Sequence, residues 1–322
     1  MSPSDTLTPM KIESFGMTDV GKRREKNEDS YLINTTSGLY VIADGMGGHL
    51  GGEYASKMAV TTIEDIMSEL MSDPDATLSS NIEIRSGDYK GYLKYAIGIA
   101  SNRIFERALR DPSLHGMGTT ATSLLFAGEK AYIANVGDSR CYLIRRNKIT
   151  QITTDHSLVS EQLKAGIISV SDAKNHKLKN IITRSVGFQE DVEADVSMRT
   201  PKKGDKFMLC TDGLSNMVST EEILEIVSSE EPREACYQLI SLANEHGGDD
   251  NITVVISRIV SAGEVAEDDE ETLARDAGGL TPGVSKSNSV RLDNSPATWV
   301  DCLHESTKPG DEGAHLGAVK LK

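Results

Sequence analysis

Residues 119–153, TTATSLLFAGEKAYIANVGDSRCYLIRRNKITQIT, contain four strand candidates in succession. Short runs rich in β-branched, aliphatic and aromatic residues alternate here with Gly, Asp and Asn, which is the pattern of successive β-strands. The predicted strands are residues 119–127, 130–136, 140–146 and 148–153. Gly128, followed by Glu129 and Lys130, separates the first two strands and predicts a β-hairpin.

The rest of the chain supplies helices on both sides of this stretch and further strands. Helices are predicted at residues 51–71, 89–110, 157–166, 220–228 and 232–246, and strands at 29–34, 39–43, 192–198, 206–211 and 251–259. Within 89–110 the apolar residues repeat at roughly 3.6 positions, as on one helix face: Leu93, Ile97, Ala100, Ile104 and Leu109. Long helices, hairpin strands and then more helices do not follow the order of a doubly wound repeat.

We therefore predict an α+β fold with a central β-sandwich of two antiparallel sheets and helices on both outer faces, in the order α-β-β-α. Residues 11–260 are predicted to form this single domain, after a flexible N-terminus at residues 1–10. Residues 155–190 interrupt the strands with polar turns and are interpreted as a small flap subdomain or an ordinary connector. Residues 263–322 carry 12 acidic and 6 basic residues and lack hydrophobic periodicity, so we predict that the tail, residues 261–322, is acidic and disordered.

Composition narrows the range of partners and compartments. The net charge of −15 and the sequence pI near 5.0 argue against nucleic acid as a partner. The cysteines form no CxxC pair and no zinc spacing, which indicates a reducing compartment: Cys141, Cys210, Cys236 and Cys302. The N-terminus lacks a signal-peptide pattern, and no apolar run reaches the roughly 18 residues that span a membrane. We expect a soluble, cytoplasmic monomer.

Four aspartates lie at the ends of apolar strand candidates, namely Asp44, Asp138, Asp212 and Asp250. Each alone is typical of a turn, and Asp138 in GDSR resembles a hairpin residue that pairs with Arg140. Strands that enter a sheet in a common sense bring their ends to one edge, where four carboxylates repel each other unless cations lie between them. The set therefore predicts a carboxylate-lined site for several metal ions.

Two flanking segments complement these acids. The glycines after Asp44 do not form a nucleotide-binding loop, because Leu50 occupies a required glycine position, but they let backbone carbonyls approach a metal. In GKRREKNEDS, residues 21–30, Arg24 precedes Glu28 and Asp29 by four and five positions. The arginine fork suits a phosphate group, and neighbouring acids can order metal-bound water.

Eight short motifs in this chain occur together, in the same order, in one known family. They are R-x-x-N-E-D, D-G-M-G-G-H, G-T-T, V-G-D-S-R, T-x-D-H-S, T-R-S-V-G, C-T-D-G-L and D-D-N-I-T-V. Over residues 12–259 the chain thus resembles the metal-dependent (PPM) serine/threonine protein phosphatases of the 2C type, in their bacterial-like branch. The resemblance implies the predicted sandwich and two Mn²⁺ or Mg²⁺ ions at one end of it.

The resemblance also implies roles for the acids. Asp44 would bridge both ions and the Gly45 carbonyl would complete one coordination sphere. Asp212 and Asp250 would hold the other ion, and Asp138 would join Asp212 in holding a weaker third ion.

Further roles follow from the same resemblance. Arg24 would bind the substrate phosphate, Glu28 and Asp29 would lie next to metal-bound waters, and residues 155–190 would be the flap beside the substrate groove. Met46 stands where some relatives carry a histidine that is proposed as general acid, and this role is not transferred to His49. A metal-bound water or solvent is the expected proton donor.

The implied reaction is hydrolysis of phosphoserine and phosphothreonine in proteins, substrates of a Ser/Thr kinase. A metal-bridged hydroxide would attack the phosphomonoester in line, without a covalent intermediate. One alternative is a silent pseudophosphatase acting as a binding or regulatory module, against which the intact acid set argues. Another is a metal-dependent phosphodiesterase, against which the negative charge argues. His156 is expected to fix the base of the flap.

Overall fold

Two antiparallel sheets lie at the centre of the protein in the computed structural model, which describes residues 10–47, 50–72, 84–169, 172–173, 176, 178 and 181–262. The strands of the described residues are β1 (Lys11–Asp19), β2 (Asp29–Asn34), β3 (Leu39–Met46), β4 (Gly118–Thr119), β5 (Ala121–Ala127), β6 (Lys130–Val136), β7 (Arg140–Arg145), β8 (Lys148–Gln151), β9 (Asp195–Arg199), β10 (Lys206–Cys210) and β11 (Ile252–Ser261). One sheet has the order β1-β11-β10-β7-β8, and the other has the order β2-β3-β5-β6-β9 with β4 paired to β3.

Helices cover the outer face of each sheet. The helices of the described residues are α1 (Gly51–Ser72), α2 (Tyr89–Arg110), α3 (Leu158–Lys164), α4 (Asp212–Ser215), α5 (Thr220–Ser229) and α6 (Pro232–Glu245). Buried residues of α1 and α2 pack against the β2-β3-β5-β6-β9 sheet, and buried residues of α5 and α6 pack against the other sheet. None of the described helices is long and apolar enough to cross a lipid bilayer.

Alternation along the central strands explains their continuous apolar sequences. In β3, Leu39 and Val41 face the α1–α2 layer, whereas Tyr40 and Ile42 face the space between the sheets. Successive side chains of a strand point to opposite faces, so a strand that is covered on both faces needs apolar residues at every position. The run LYVIA at residues 39–43 is therefore the signature of a central strand in a four-layer sandwich.

The predicted fold class is confirmed, as is the hairpin after residue 127. Ala127 pairs with Lys130, and Gly128 adopts φ +57°, which suits the turn. The capping box of α5 also agrees with its predicted start, because the Ser219 hydroxyl accepts the Glu222 N–H while the Glu222 carboxylate accepts the Ser219 N–H.

Several element predictions were wrong in detail. Strand β1 and the short helix α4 were missed. The predicted strand 119–127 is divided between β4 and β5 at Thr120. Leu109 is 66% exposed, because Ala108 continues the buried face of α2 four residues after Ile104.

Most of the predicted terminal segments and a small part of the predicted flap lie outside the described residues. Residues 1–9 and 263–322 lie outside the described residues, as do parts of 170–180. Between β8 and β9 the structure describes α3 and two isolated antiparallel bridges, Thr119 with Val186 and Ser157 with Ile182. The flap boundaries remain a prediction.

Candidate active site

Asp44 lies near the end of β3, directly opposite Asp29 of β2. Two threonines hold its backbone through three hydrogen bonds, each of 2.9 Å. The Asp44 N–H donates to Thr120 Oγ1, and the Asp44 carbonyl accepts from the Thr120 N–H and from Thr119 Oγ1. Asp44 is 5% exposed. The first of the predicted acids is therefore held in a nearly buried, rigid position.

Asp29 connects the two sheets at this edge. Its Oδ2 accepts from the Thr211 hydroxyl at 2.8 Å and from the Thr253 hydroxyl at 2.7 Å. Thr253 lies in β11 and Thr211 directly follows β10, both in the sheet opposite β2. Thr211 immediately precedes Asp212. Asp29 thus brings the end of β10, with Asp212, next to the pair formed by Asp29 and Asp44.

The backbone segments that carry Asp212 and Asp250 pack against each other. Asp212 begins α4, and its Oδ2 accepts from Asn216 Nδ2 at 3.3 Å. A Cβ on Gly213 would lie 2.0 Å from the carbonyl oxygen of Asn251, so α4 packs directly on the start of β11. Only glycine permits that approach, which places the two acids at one edge.

Arg24 is drawn into this acidic group. Its Nη2 donates to Asp250 Oδ2 at 2.8 Å. The pKa of Arg24 is raised above its ordinary value. Burial alone would lower it, but the attraction of the guanidinium to Asp250, and also to Glu28 and Asp44, outweighs burial. The predicted phosphate-binding arginine therefore lies within electrostatic reach of three of the predicted site acids.

Asn251 holds the loop that carries Arg24, and sequence reasoning missed it. Its Nδ2 donates to the carbonyls of Val20 and Lys26, both at 2.9 Å, and its Oδ1 accepts the Glu28 N–H at 2.8 Å. The side chain is buried, and these three bonds fix both ends of the loop. The D-D-N motif was the available signal, but the partners lie more than 220 residues away along the chain.

Glu28 lies against the start of α1. A Cβ on Gly52 would come within 2.6–2.9 Å of the Glu28 carboxyl group, and a Cβ on Gly45 would lie 2.0 Å from the Gly52 carbonyl oxygen. The Gly45 N–H donates to the Glu28 carbonyl at 3.1 Å. The glycines at 45 and 52 therefore allow the acidic loop and the end of β3 to approach closely.

Asp138 reaches the same edge from the end of β6. Thr120 Oγ1 contacts Ser139 Oγ at 2.8 Å and also accepts the Asp44 N–H, so one hydroxyl joins the turns that carry Asp138 and Asp44. Arg140 does not behave as a simple turn partner, because its guanidinium forks onto Asp155, with Nη2 to Oδ2 at 2.7 Å. The structure therefore brings all the predicted site residues to one end of the sandwich.

The donor set fits hydrated divalent cations. Carboxylates with a glycine carbonyl are the oxygen ligands that Mg²⁺ and Mn²⁺ prefer, and nearly buried acids at one edge favour bound cations. Within the described residues, no three His, Cys, Asp or Glu side chains are grouped closely enough to enclose a metal by themselves. Mg²⁺ keeps several waters and is commonly bound by only one or two carboxylates, so such a site does not require a closed cluster of three.

The remaining residues named from the sequence are Met46, His49 and His156. Met46 ends β3 and pairs with Gly118 of β4, and His49 lies outside the described residues. His156 is buried beside the Asp138 turn and accepts the Thr183 N–H through its carbonyl at 2.9 Å. These contacts agree with the expected role of His156 at the base of the predicted flap.

A four-layer sandwich with acids at one edge shared by both sheets is the arrangement that the resemblance to metal-dependent protein phosphatases implies. The sequence model described as protein phosphatase 2C matches residues 13–252. The chain belongs to the protein phosphatase 2C family.

Curated relatives share about a third of the sequence. The serine/threonine protein phosphatase PstP of Mycobacterium tuberculosis H37Rv is 35% identical over 284 residues, which cover 85% of this chain and 52% of PstP. The chain thus spans about half the length of that relative. The serine/threonine phosphatase stp of Listeria monocytogenes EGD-e is 37% identical over 243 residues, which cover 74% of this chain and 92% of the relative.

Solved structures agree with this family assignment. The catalytic domain of PstP in complex with two manganese ions matches with a TM-score of 0.67 and 35% identity, covering 79% of this chain and 100% of the other. Stp1 from Staphylococcus aureus matches with a TM-score of 0.69 and 31% identity, covering 80% and 99%.

Proposed function

We propose that this chain is a metal-dependent serine/threonine phosphoprotein phosphatase that uses Mn²⁺ or Mg²⁺. The observation that carries the proposal is the shared edge to which the two sheets bring Asp44, Asp212 and Asp250, with Arg24 bonded to Asp250. The names of the relatives and the two manganese ions of the PstP structure support it.

Each predicted site residue has a proposed role in binding. Asp44 and the Gly45 carbonyl would hold one ion, with Asp44 shared by a second that Asp212 and Asp250 also bind. Asp138 would hold a weaker third ion. When bound, the ions supply a nucleophile at neutral pH, by lowering the pKa of water, and neutralise phosphoryl charge.

The remaining residues position the substrate and the waters. Arg24 has a side chain that is 35% exposed, so its guanidinium can reach a phosphoryl group while Asp250 keeps it in place. Glu28 and Asp29 would accept hydrogen bonds from waters at the site. Burial raises the pKa of Cys210 to about 12, which makes this strand residue unfit as a nucleophile and favours direct attack of water.

The proposed substrates are proteins that carry phosphoserine or phosphothreonine, the products of a Ser/Thr kinase. The monomeric state and the cytoplasmic location complete the proposal. The net charge of −15 supports a function that does not involve nucleic acid.

Two neighbouring aspartates provide a matched test of the site. Asp250→Asn removes the proposed metal ligand, whereas Asp249→Asn makes the same charge change at a side chain that is 62% exposed and 3.7 Å from Arg23. We expect phosphate release from a phosphothreonine peptide to require Mn²⁺, to fall by about 100-fold or more in Asp250→Asn and to persist in Asp249→Asn.

A second readout separates binding from turnover. Mn²⁺ should raise the melting temperature of the wild type and of Asp249→Asn, and raise that of Asp250→Asn less, because bound cations relieve repulsion only in the folded state. Full activity in excess chelator would overturn the proposal. Mn²⁺ stabilisation without any turnover would instead identify a silent binding module.

A further inference from the structure

The turn that carries Asp138 is held at both ends by two consecutive residues of a later loop. Asp155 binds Arg140, at one end of the turn, through Nε at 3.1 Å and Nη2 at 2.7 Å. His156 binds Gly137, at the other end, in both directions: Gly137 N–H donates to His156 Nδ1 at 3.1 Å, and His156 N–H donates to the Gly137 carbonyl at 2.9 Å. Asp138 lies between these two anchors.

The imidazole of His156 is fixed in one protonation and tautomeric state. Because Nδ1 accepts a backbone N–H, the neutral ring carries its proton on Nε2, which lies 3.2 Å from Asp195 Oδ2 and donates to it. Burial lowers the pKa of His156 more than Asp195 raises it, which favours the neutral ring. The ring therefore acts as a rigid connector with one acceptor and one donor.

Gly137 cannot move independently of the active-site edge. It has φ +107°, and a Cβ at this position would lie 2.5 Å from Thr120 Cγ2. Thr120 is the residue whose hydroxyl joins Ser139 to the Asp44 backbone. A displacement of Gly137 therefore changes the position of Asp138 relative to Asp44.

On its other side His156 contacts a later part of the predicted flap, residues 181–184. The Thr183 N–H donates to the His156 carbonyl, and the flanking bridge between Ser157 and Ile182 continues this pairing. Asp195, the partner of Nε2, also accepts from Arg184 Nη1 at 2.8 Å. His156 thus lies between the Asp138 turn and residues 181–184, which it contacts through its own backbone and through Asp195.

We propose that His156 is a positioning residue that holds the Asp138 turn in place and links it, through Asp195, to Arg184 in the later part of the predicted flap. The inference rests on the proposed function only in giving Asp138 a role at the metal site. The positioning itself follows from the contacts of the ring, which do not involve a metal.

Two substitutions separate the two arms of the ring. His156→Asn places an amide oxygen where Nδ1 lies, so it keeps the acceptor for Gly137 and loses the contact with Asp195. His156→Gln reaches the position of Nε2 and loses the acceptor for Gly137. His246→Asn, at a partly exposed histidine that contacts the Met217 carbonyl, is the control.

The measurement is amide hydrogen exchange of peptides that cover residues 137–139, in metal-free protein and with Mn²⁺. We expect exchange to rise about tenfold in His156→Gln and to stay near the wild-type rate in His156→Asn and His246→Asn, because only Gln removes the Gly137 acceptor. We also expect His156→Gln to need a higher Mn²⁺ concentration for stabilisation against heat. A purely structural role predicts equal exchange in the Asn and Gln variants, and that result would overturn the proposal.

If neither His156 variant folds, Asp195→Ala decides the question, because Asp195 has a side chain that is 52% exposed. Without Asp195 nothing holds the ring proton on Nε2, so Nδ1 is no longer a fixed acceptor for Gly137, whereas the amide oxygen of His156→Asn needs no such partner. Faster exchange at residues 137–139 in Asp195→Ala would therefore support the link through Nε2, and a wild-type rate would overturn it. These rates are measurable in metal-free protein, so they stand whether or not the phosphatase assay succeeds.

Discussion

Single glycines set how closely the acidic residues of the site approach each other. A side chain at Gly52 meets only the carboxyl end of Glu28, which is flexible, whereas a side chain at Gly45 meets the backbone carbonyl of Gly52 at 2.0 Å. The two positions therefore differ in what must move, although they belong to one contact.

We predict graded effects for alanine at three glycines. Gly98→Ala, in α2 with no atom within 4 Å of the new Cβ, should stabilise the protein by about 0.5–1 kcal/mol. Gly52→Ala should keep the fold but displace Glu28 and weaken the stabilisation by Mn²⁺, and Gly45→Ala should destabilise strongly. Urea unfolding with and without Mn²⁺ checks the series, and equal behaviour of Gly45→Ala and Gly98→Ala would contradict it.

For single residues, the acids of the site could be predicted from the sequence, but most of the residues that contact them could not. Asp44 and Asp212 were predictable because each follows a recognisable apolar strand, which is a local pattern. Asn251 and the pairing of Arg140 with Asp155 were not, because these contacts depend on which loops meet in space. The site roles themselves remain predictions.

Among whole elements, strand β1 shows why some segments escape prediction. Its sequence KIESFGMTD contains a glycine, and its residues are only partly buried. Gly16 is needed because a Cβ there would lie 2.8 Å from the ring of Tyr31, on β2. Pairing with β11 over nine residues compensates for weak strand propensity, and this partner is 240 residues away.

Lys206 ties strand β10 to the end of helix α5. Its Nζ donates to the carbonyls of Val227 and Glu230, both at 2.6 Å, and burial lowers its pKa. We predict that Lys206→Met destabilises the protein by about 1–3 kcal/mol, because the hydrocarbon stem remains but these carbonyls lose their donor. Urea unfolding measures the loss. Lys148→Met, at an exposed position on β8, should change little, and equal effects of both substitutions would refute the prediction.

For the molecule as a whole, three cysteine thiols are buried in the sandwich together with its apolar side chains. Cys141, Cys210 and Cys236 are all buried, and burial raises the pKa of Cys210 and Cys236 to about 12. In a Cys302→Ser variant we predict no reaction with a thiol reagent at pH 8 until the protein is unfolded, when three thiols react. Rapid labelling of one thiol in the native protein would contradict this prediction.

The layer order was predictable because continuous apolar strands and flanking helices admit few arrangements. The strand order was not predictable in the same way. In the first sheet β10 pairs with both β7 and β11, and β11 pairs with β1, so neighbours in space are distant in sequence. Hydrophobic pattern specifies which residues are buried, whereas pairing across such distances depends on the whole set of tertiary contacts.

The position of β11 has a consequence for biosynthesis. Because β11 lies between β1 and β10, the first strand to leave the ribosome has no neighbour within its own sheet until almost the last described residues have been translated. Arg24 likewise meets Asp250 only at that stage. A nascent chain therefore carries an open sheet and no complete acidic edge, and insertion of β11 both closes the fold and assembles the site in a single late step.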